Sequence, residues 1–480
     1  MLSHVSTLAW LIGFSALFAL AGVIYARRTR DSLEDYIVAR HSQSAFATVL
    51  TLLASSLGAW ILFSPAQAAT WGGLGAVIGY AIGSMSPRFA MIPLGQRMRD
   101  LIPQGHTLTE YVIHRFGKPM YVLTLLIMMF YMFISLTAEI TAMAKLVTLI
   151  APIPLGVTAA VVLIATLIYT SYGGLRASIF TDKVQMLVML PLLFLLLIFG
   201  WNAVGGAAPT IERLQQNAPQ LLDLGNAVGI KAGITFFVAI LLTGLFHQGN
   251  WQRIYAAQSD KAMRRGFLIS GLLVAPFIFV MGLFGLAFVA WTPDGDNSVA
   301  LFSVLTPSLP IWFVVLLIPL GLALVMSSAD TAISAVTSII AVDMHRIMPR
   351  LSGAQLMRIS RYLVWALAIP VWYTSAKGLS VLYLFLLADL LCSAAAFPVF
   401  YGLYSRRITG MQATLSTLAG LVTGLILFPA PSGPMDYLLE SFLVAALVPA
   451  VLCLLLERLS QNQFDFKQLA NIKGMDQQTN

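Results

Sequence analysis

The chain has 480 residues, 59% of them hydrophobic and only 10% charged, with a mean hydropathy of +0.85. That composition excludes an ordinary soluble domain, in which about a quarter of the residues carry charge. The formal charge of +8 does not call for a nucleic-acid partner, because the basic residues are dispersed over separate loops and form no single patch.

Apolar runs long enough to cross a bilayer as helices, at about 20 residues each, recur along almost the whole length. About thirteen spans are predicted, at 6-25, 44-70, 73-96, 120-150, 153-171, 178-202, 228-247, 266-291, 310-342, 357-374, 379-403, 411-428 and 436-456. The first run has no basic leader and is followed by Arg27, Arg28 and Arg30. It therefore reads as a retained helix with its N-terminus outside, not a cleaved signal peptide.

Alternate loops carry most of the other basic residues: Arg40; Arg97, Arg99, Arg115 and Lys118; Arg176 and Lys183; Arg253, Lys261, Arg264 and Arg265; Arg346, Arg350, Arg358 and Arg361; Arg406 and Arg407; Arg458 and Lys467. The intervening loops have almost none, so the basic loops are expected in the cytoplasm, and an odd span count leaves the C-terminus inside. Neither terminus reads as a separate soluble domain. Cys392 and Cys453 both fall in apolar spans and read as reduced small hydrophobes.

The expected fold class is an all-α polytopic membrane protein, and its function should lie where helices are interrupted, since freed backbone groups can bind a solute or ion. The span at 44-70 holds the small, polar stretch Ala54-Ser55-Ser56-Leu57-Gly58-Ala59 between two apolar halves. It is either an unwound joint or a small-residue packing face. If an inverted repeat relates 44-202 to 228-403, the counterpart of this span is 228-247, where Thr243-Gly244 is the matching break.

In "LALVMSSADTAISAVTSIIAVD" (322-343), Ser327, Thr331, Ser334 and Ser338 form one polar stripe on a helix, bordered by Asp330. Such hydroxyls either bond to carbonyls one turn back or face a pathway, and an intramembrane carboxylate needs a partner or a pathway. Hard oxygen donors suit a small hard cation such as sodium, and the six histidines form no ligand-spaced cluster.

Three segments, "YTSYGGLRASIFTDKVQMLVML" (169-190), "FHQGNWQRIYAAQS" (246-259) and "SSADTAISAVTSIIAVDMHR" (327-346), resemble the solute:sodium symporter family, and the resemblance covers nearly the whole chain. It implies a LeuT-type core of two inverted five-helix repeats with one helix before and two after. The divisions are 1-43, N-terminal helix and first cytoplasmic loop; 44-202, first repeat; 203-227, extracellular loop; 228-403, second repeat; and 404-480, two helices and a cytoplasmic tail. The implied activity is sodium-coupled solute uptake by alternating access across the plasma (inner) membrane.

Carried over by position, the sodium site would use the carbonyls of Ala54, Leu57 and Leu324 and the hydroxyls of Ser327 and Ser328. Asp182 matches a carboxylate that some members use for a second cation or for its exit; otherwise it pairs with Arg176 or Lys183. The solute would meet Ser55, Ser56, Trp60, Thr243, Leu386 and Asp389. Ser56 stands where the proline-transporting branch has an aspartate, and the matching positions are mainly Leu, Gly and Ala, which serve a hexose poorly. "LTEYVIHRFG" and "YTSYGGLRASIFTD" resemble the urea and amino-acid side of the family, so a small nitrogenous solute is favoured.

Asp389 is a candidate amine or amide ligand. Asp389 and Glu139 each read as either structural or functional, and the structural reading of Glu139 pairs it with Lys145 or Arg88. The rival readings are a transporter-fold sensor, a proton-coupled carrier, a channel and an enzyme. The tail reads as too short for a signalling domain, and no carbonyl-ring filter motif is apparent. His106, His114 and His247, expected at surfaces or helix ends, have no evident Ser or Cys partner for catalysis.

Overall fold

The structure, a computed structural model, describes residues 2-28, 32-307, 309-431, 433, 435-461 and 463-472. Arg30 of the first basic loop and tail residues 473-480 lie outside them. Apart from an isolated bridge between Gln43 and Ala257, the described residues contain no strand.

The first half runs α1 (His4–Arg28), α2 (Leu33–Ile37), α3 (Ala45–Ala54), α4 (Ser64–Leu101), α5 (Leu108–Phe116), α6 (Lys118–Ile150), α7 (Leu155–Ala203) and α8 (Ala207–Asn217). The second half runs α9 (Ala227–Gly244), α10 (Gln248–Ala256), α11 (Asp260–Trp291), α12 (Ala300–Leu305), α13 (Ile311–Ile347), α14 (Gly353–Ser375), α15 (Val381–Tyr401), α16 (Gly410–Leu427) and α17 (Leu438–Leu459). Among the described residues, nine helices are long and apolar enough to cross a membrane.

Two very long helices are bent where the sequence predicted boundaries between spans. Gly73 in α4 (φ 57°) and Gly174 in α7 (φ 53°) take a left-handed conformation that L side chains avoid. A Cβ would also strike the Leu221 carbonyl at the first and the Tyr36 carbonyl at the second. Between α4 and α9 the backbones themselves touch. A Cβ on Gly75 or Gly79 would stand 2.3 and 2.2 Å from the carbonyl oxygens of Gly229 and Gly233, a small-residue seam of the kind that joins membrane helices.

Both predicted breaks are present. α3 stops at Ala54 and resumes through a 3-10 turn, Ala59–Leu62, before α4; α9 stops at Gly244 and α10 starts at Gln248. The outer surface is apolar, with Leu187, Phe194, Ile198 and Ile426 exposed, as a lipid-facing wall requires.

The basic loops converge on one end. Arg40 donates to the carbonyls of Pro103 and Gly105, Arg99 to that of Ile254, and Arg115 to those of Gly402, Ser405 and Ile408. The tail segment returns to the same end, where Phe466 lies under the guanidinium groups of Arg97, Arg115 and Arg406.

Candidate functional site

At the first break, the bonds that close α3 run from Ser55 to Thr51 and from Ser56 and Leu57 to Leu53, and the next accepting carbonyl is that of Gly58. They pass over the carbonyls of Ala54 and Leu57. Gly58 is needed because a Cβ there would meet the Glu139 carboxylate, which reaches past it to accept the Ala59 N–H at 2.7 Å. Glu139 thus caps the restarted helix. It forms neither expected ion pair: Lys145 contacts Ser298, and Arg88 turns to Ser84 and Ser56.

The joint packs against α13, which carries the serine pair. Ser328 donates to the carbonyls of Leu324 (3.1 Å) and Val325 (3.2 Å), and Ser327 donates to Asp182 Oδ1 at 2.6 Å. A hydroxyl that gives its proton to a carboxylate keeps its oxygen lone pairs turned elsewhere. The other oxygen of Asp182 accepts from Thr51 and from Arg253 Nη2, the latter at 3.1 Å.

Arg253, counted above among the loop cations, is in fact fully buried, and it also donates to Thr51, Thr331 and the Gly249 carbonyl. It replaces Arg176 and Lys183 as the partner of Asp182, because Arg176 pairs with Asp35 at 2.7 Å. Asp330 has a scaffold role: Tyr169, Ser178 and Thr181 of α7 donate to it at 2.8, 2.7 and 2.9 Å, locking α7 to α13.

Beside the joint lies a cavity of about 140 Å³. Ser55, Ser56, Trp60, Thr243 and Asp389 line it, as expected; Leu386 does not, and Phe385 lines it instead. On a helix, residues 385 and 389 share a face while 386 is turned by about 100°. Sequence reasoning also missed Arg88, Tyr131 and His247, which line the same cavity. Their residue types were visible, but no spacing signal linked positions so far apart in the chain.

A second cavity, about 750 Å³, is lined by Gln67, Trp71, Lys231 and Tyr383 among others. Rings in sequence from Trp71 through Phe236 and Tyr80 to Trp60 and Phe385, with centroids 4.8 to 6.0 Å apart, lie between the two.

At the basic end, His106 is buried between Glu110 and Glu34, with ring contacts of 3.1 and 2.8 Å, and is no surface side chain. Burial pulls its imidazole down, but the two carboxylates outweigh burial and hold it at about 9. Glu34 feels burial in the opposite sense, yet His106 and Arg40 bring it down to about 2. His114 is exposed, as expected.

A helical membrane protein with two broken helices, and a polar cavity beside one of them, has the architecture of a secondary carrier. A model of the Sodium:solute symporter family matches residues 36–420, and the chain belongs to that family. Sodium is accordingly its coupling ion, and the all-α LeuT-type expectation holds.

Among known relatives, the spermidine transporter DUR31 of Candida albicans is 27% identical over 423 residues, 86% of this chain and 78% of the relative. The sodium/pantothenate symporter of Escherichia coli is 28% identical over 280 residues, 56% and 58% of the two chains. In fold, the chain resembles the substrate-bound, outward-open structure of a Na+-coupled sialic acid symporter. The TM-score is 0.75 at 18% identity, with 95% and 98% of the two chains covered.

Proposed function

We propose that this protein carries a small, polar, nitrogenous solute into the cell together with sodium, by alternating access at the two broken helices. One observation carries the reading: the first joint, where the carbonyls of Ala54 and Leu57 accept no backbone bond, packs against α13, the helix that carries the serine pair. Ala54, Leu57 and Leu324 would supply carbonyl oxygens to sodium, and Ser327 and Ser328 hydroxyl oxygens, all hard uncharged donors with Asp182 just behind. Asp182 is paired with Arg253 and accepts from Ser327, which supports a role as the outer partner of that serine on the ion's inward exit.

The solute would occupy the cavity next to the joint. Amino acids and urea both fit its size class, and its mixed lining of hydroxyls, charges and aromatic rings suits an oriented polar molecule. The gathering of the basic loops at one end supports an inside C-terminus, an outside N-terminus and residence in the plasma (inner) membrane.

The test is uptake by purified protein in liposomes, with labelled urea, proline, other amino acids, short carboxylates and hexoses, with and without an inward sodium gradient. Accumulation that requires the gradient establishes the symport. Accumulation indifferent to sodium overturns it.

A further inference from the structure

We propose that Arg88 is the anchor for a carboxylate on the transported solute, and that the cargo is a small amino carboxylate whose nitrogen faces Asp389. The proposal rests on the reading above, in which the solute occupies the cavity beside the first joint.

Arg88 follows Pro87 on α4, is 9% exposed, and lines that cavity. Its guanidinium is incompletely used. Nη1 donates to the Ser84 carbonyl one turn back and Nη2 to the Ser56 hydroxyl, both uncharged acceptors, while Nε has no partner. Among the described residues Arg88 makes no ion pair, although two acids line the same cavity. Glu139 is engaged with the Ala59 N–H and caps the joint.

Asp389 is the other acid of the lining; Thr243 lies within hydrogen-bonding reach of it, and among the described residues no cation pairs with it. Its backbone carbonyl is held by Ser393 and Thr243, at 2.8 and 3.4 Å, which fixes the residue while its carboxylate lines the cavity. A buried charge without a counter-charge is costly by several kcal/mol. A cavity lined by a basic and an acidic side chain that form no ion pair among the described residues therefore suits a ligand bearing both signs.

The guanidinium chemistry specifies the first end. Its planar fork matches a carboxylate in a way that a point charge does not, and the free Nε lies beside Nη2 on one edge of the fork. That edge is held by Ser56. A carboxylate bound there would touch the broken helix between Ala54 and Leu57, the carbonyls proposed for sodium, and this gives solute and ion a shared element. Urea lacks the charge for Arg88, and a polyamine would meet it as a like charge.

The experiment uses matched probes in liposomes containing the full chain: L-alanine, L-proline, glycine, β-alanine and 4-aminobutyrate, each against its amide and its deaminated acid, with urea and spermidine as outsiders. Gradient-driven uptake of at least one amino carboxylate, with its amide and deaminated acid weaker by roughly 30-fold or more, is expected. Arg88→Gln should abolish that discrimination against the amide, Arg88→Lys should restore it in part, and Asp389→Asn should remove the preference for the amine. Sodium-dependent thermal stabilisation should survive in all three variants, which shows that they fold.

Equal uptake of acid and amide, Arg88→Gln with parental selectivity, or sodium-driven uptake confined to urea or spermidine would overturn this inference and leave sodium coupling standing. Loss of sodium dependence in the parent protein would overturn the underlying reading as well.

Discussion

Two buried arginines stand on either side of the first broken helix in opposite circumstances. Arg253 is fully enclosed, paired with Asp182 at 3.1 Å and bonded through every nitrogen it has. Arg88 reaches only uncharged oxygens and keeps one N–H without a partner. The same side chain is fully satisfied in one place and left with an unused donor in the other. Burial alone does not separate them; the completeness of the hydrogen bonding does.

The largest effect expected from that contrast is on folding. Arg253→Gln leaves Asp182 buried and uncompensated, and should destabilise the protein by about 3 to 5 kcal/mol. Thermal unfolding in detergent would show it directly. Arg88→Gln removes a charge that has no counter-charge and should leave the midpoint unchanged or higher. If the two variants melt alike, the contrast has no energetic content.

The His106 cluster sharpens the comparison with a third arrangement, a cation held by two anions. Its imidazole sits at about 9, above its ordinary 6.5, so the stabilisation is complete below 6.5 and is lost as the pH climbs through 9. Glu34, held at about 2 against an ordinary 4.5, gives stability that is present above 4.5 and lost as pH falls through 2. Between pH 7 and 10 the parent should lose on the order of 3 kcal/mol relative to His106→Gln, whose alkaline limb should be flatter. Parallel pH profiles for the two proteins would show that charge does not hold the cluster.

A smaller effect belongs to the proposed sodium site, where no formal charge is removed. Ser328→Ala and Ser327→Ala should each raise the sodium concentration for half-maximal uptake by roughly tenfold, the equivalent of one hydrogen-bond-sized interaction. Ser327→Ala should also cost some stability, since Asp182 loses a donor. Unchanged sodium dependence in both variants would remove these residues from the ion's path.

The sequence made some of this legible. Apolar length announced the spans, and small polar residues inside them announced both breaks, because hydrocarbon tolerates such residues only where backbone or ligand satisfies them. Motif resemblance pointed to the serine pair.

Pairing between distant segments was not legible. Arg253 looked like a loop cation because it follows a helix break, and only the return of α10 into the bundle buries it against α7. Glu139 and Asp389 were noticed as costly acids, but their different engagements depend on Gly58 and Ser393, which are unremarkable in sequence. Nor was Phe385 legible in place of Leu386, because a one-residue register on α15 cannot be fixed without knowing which face meets the cavity.

The glycine seam between α4 and α9 has a consequence for the width of the cavity beside the first joint. Arg88 and Thr243 line the cavity beside the first joint from these two helices, whose backbones already touch farther along at Gly79 and Gly233. A methyl group at position 79 would stand 2.2 Å from the opposing carbonyl oxygen where ordinary contact begins at 3.4 Å, so the helices would have to part by about 1 Å. The seam acts as a calliper whose jaws open at the cavity: the absence of four methyl groups sets how closely α4 and α9 approach there.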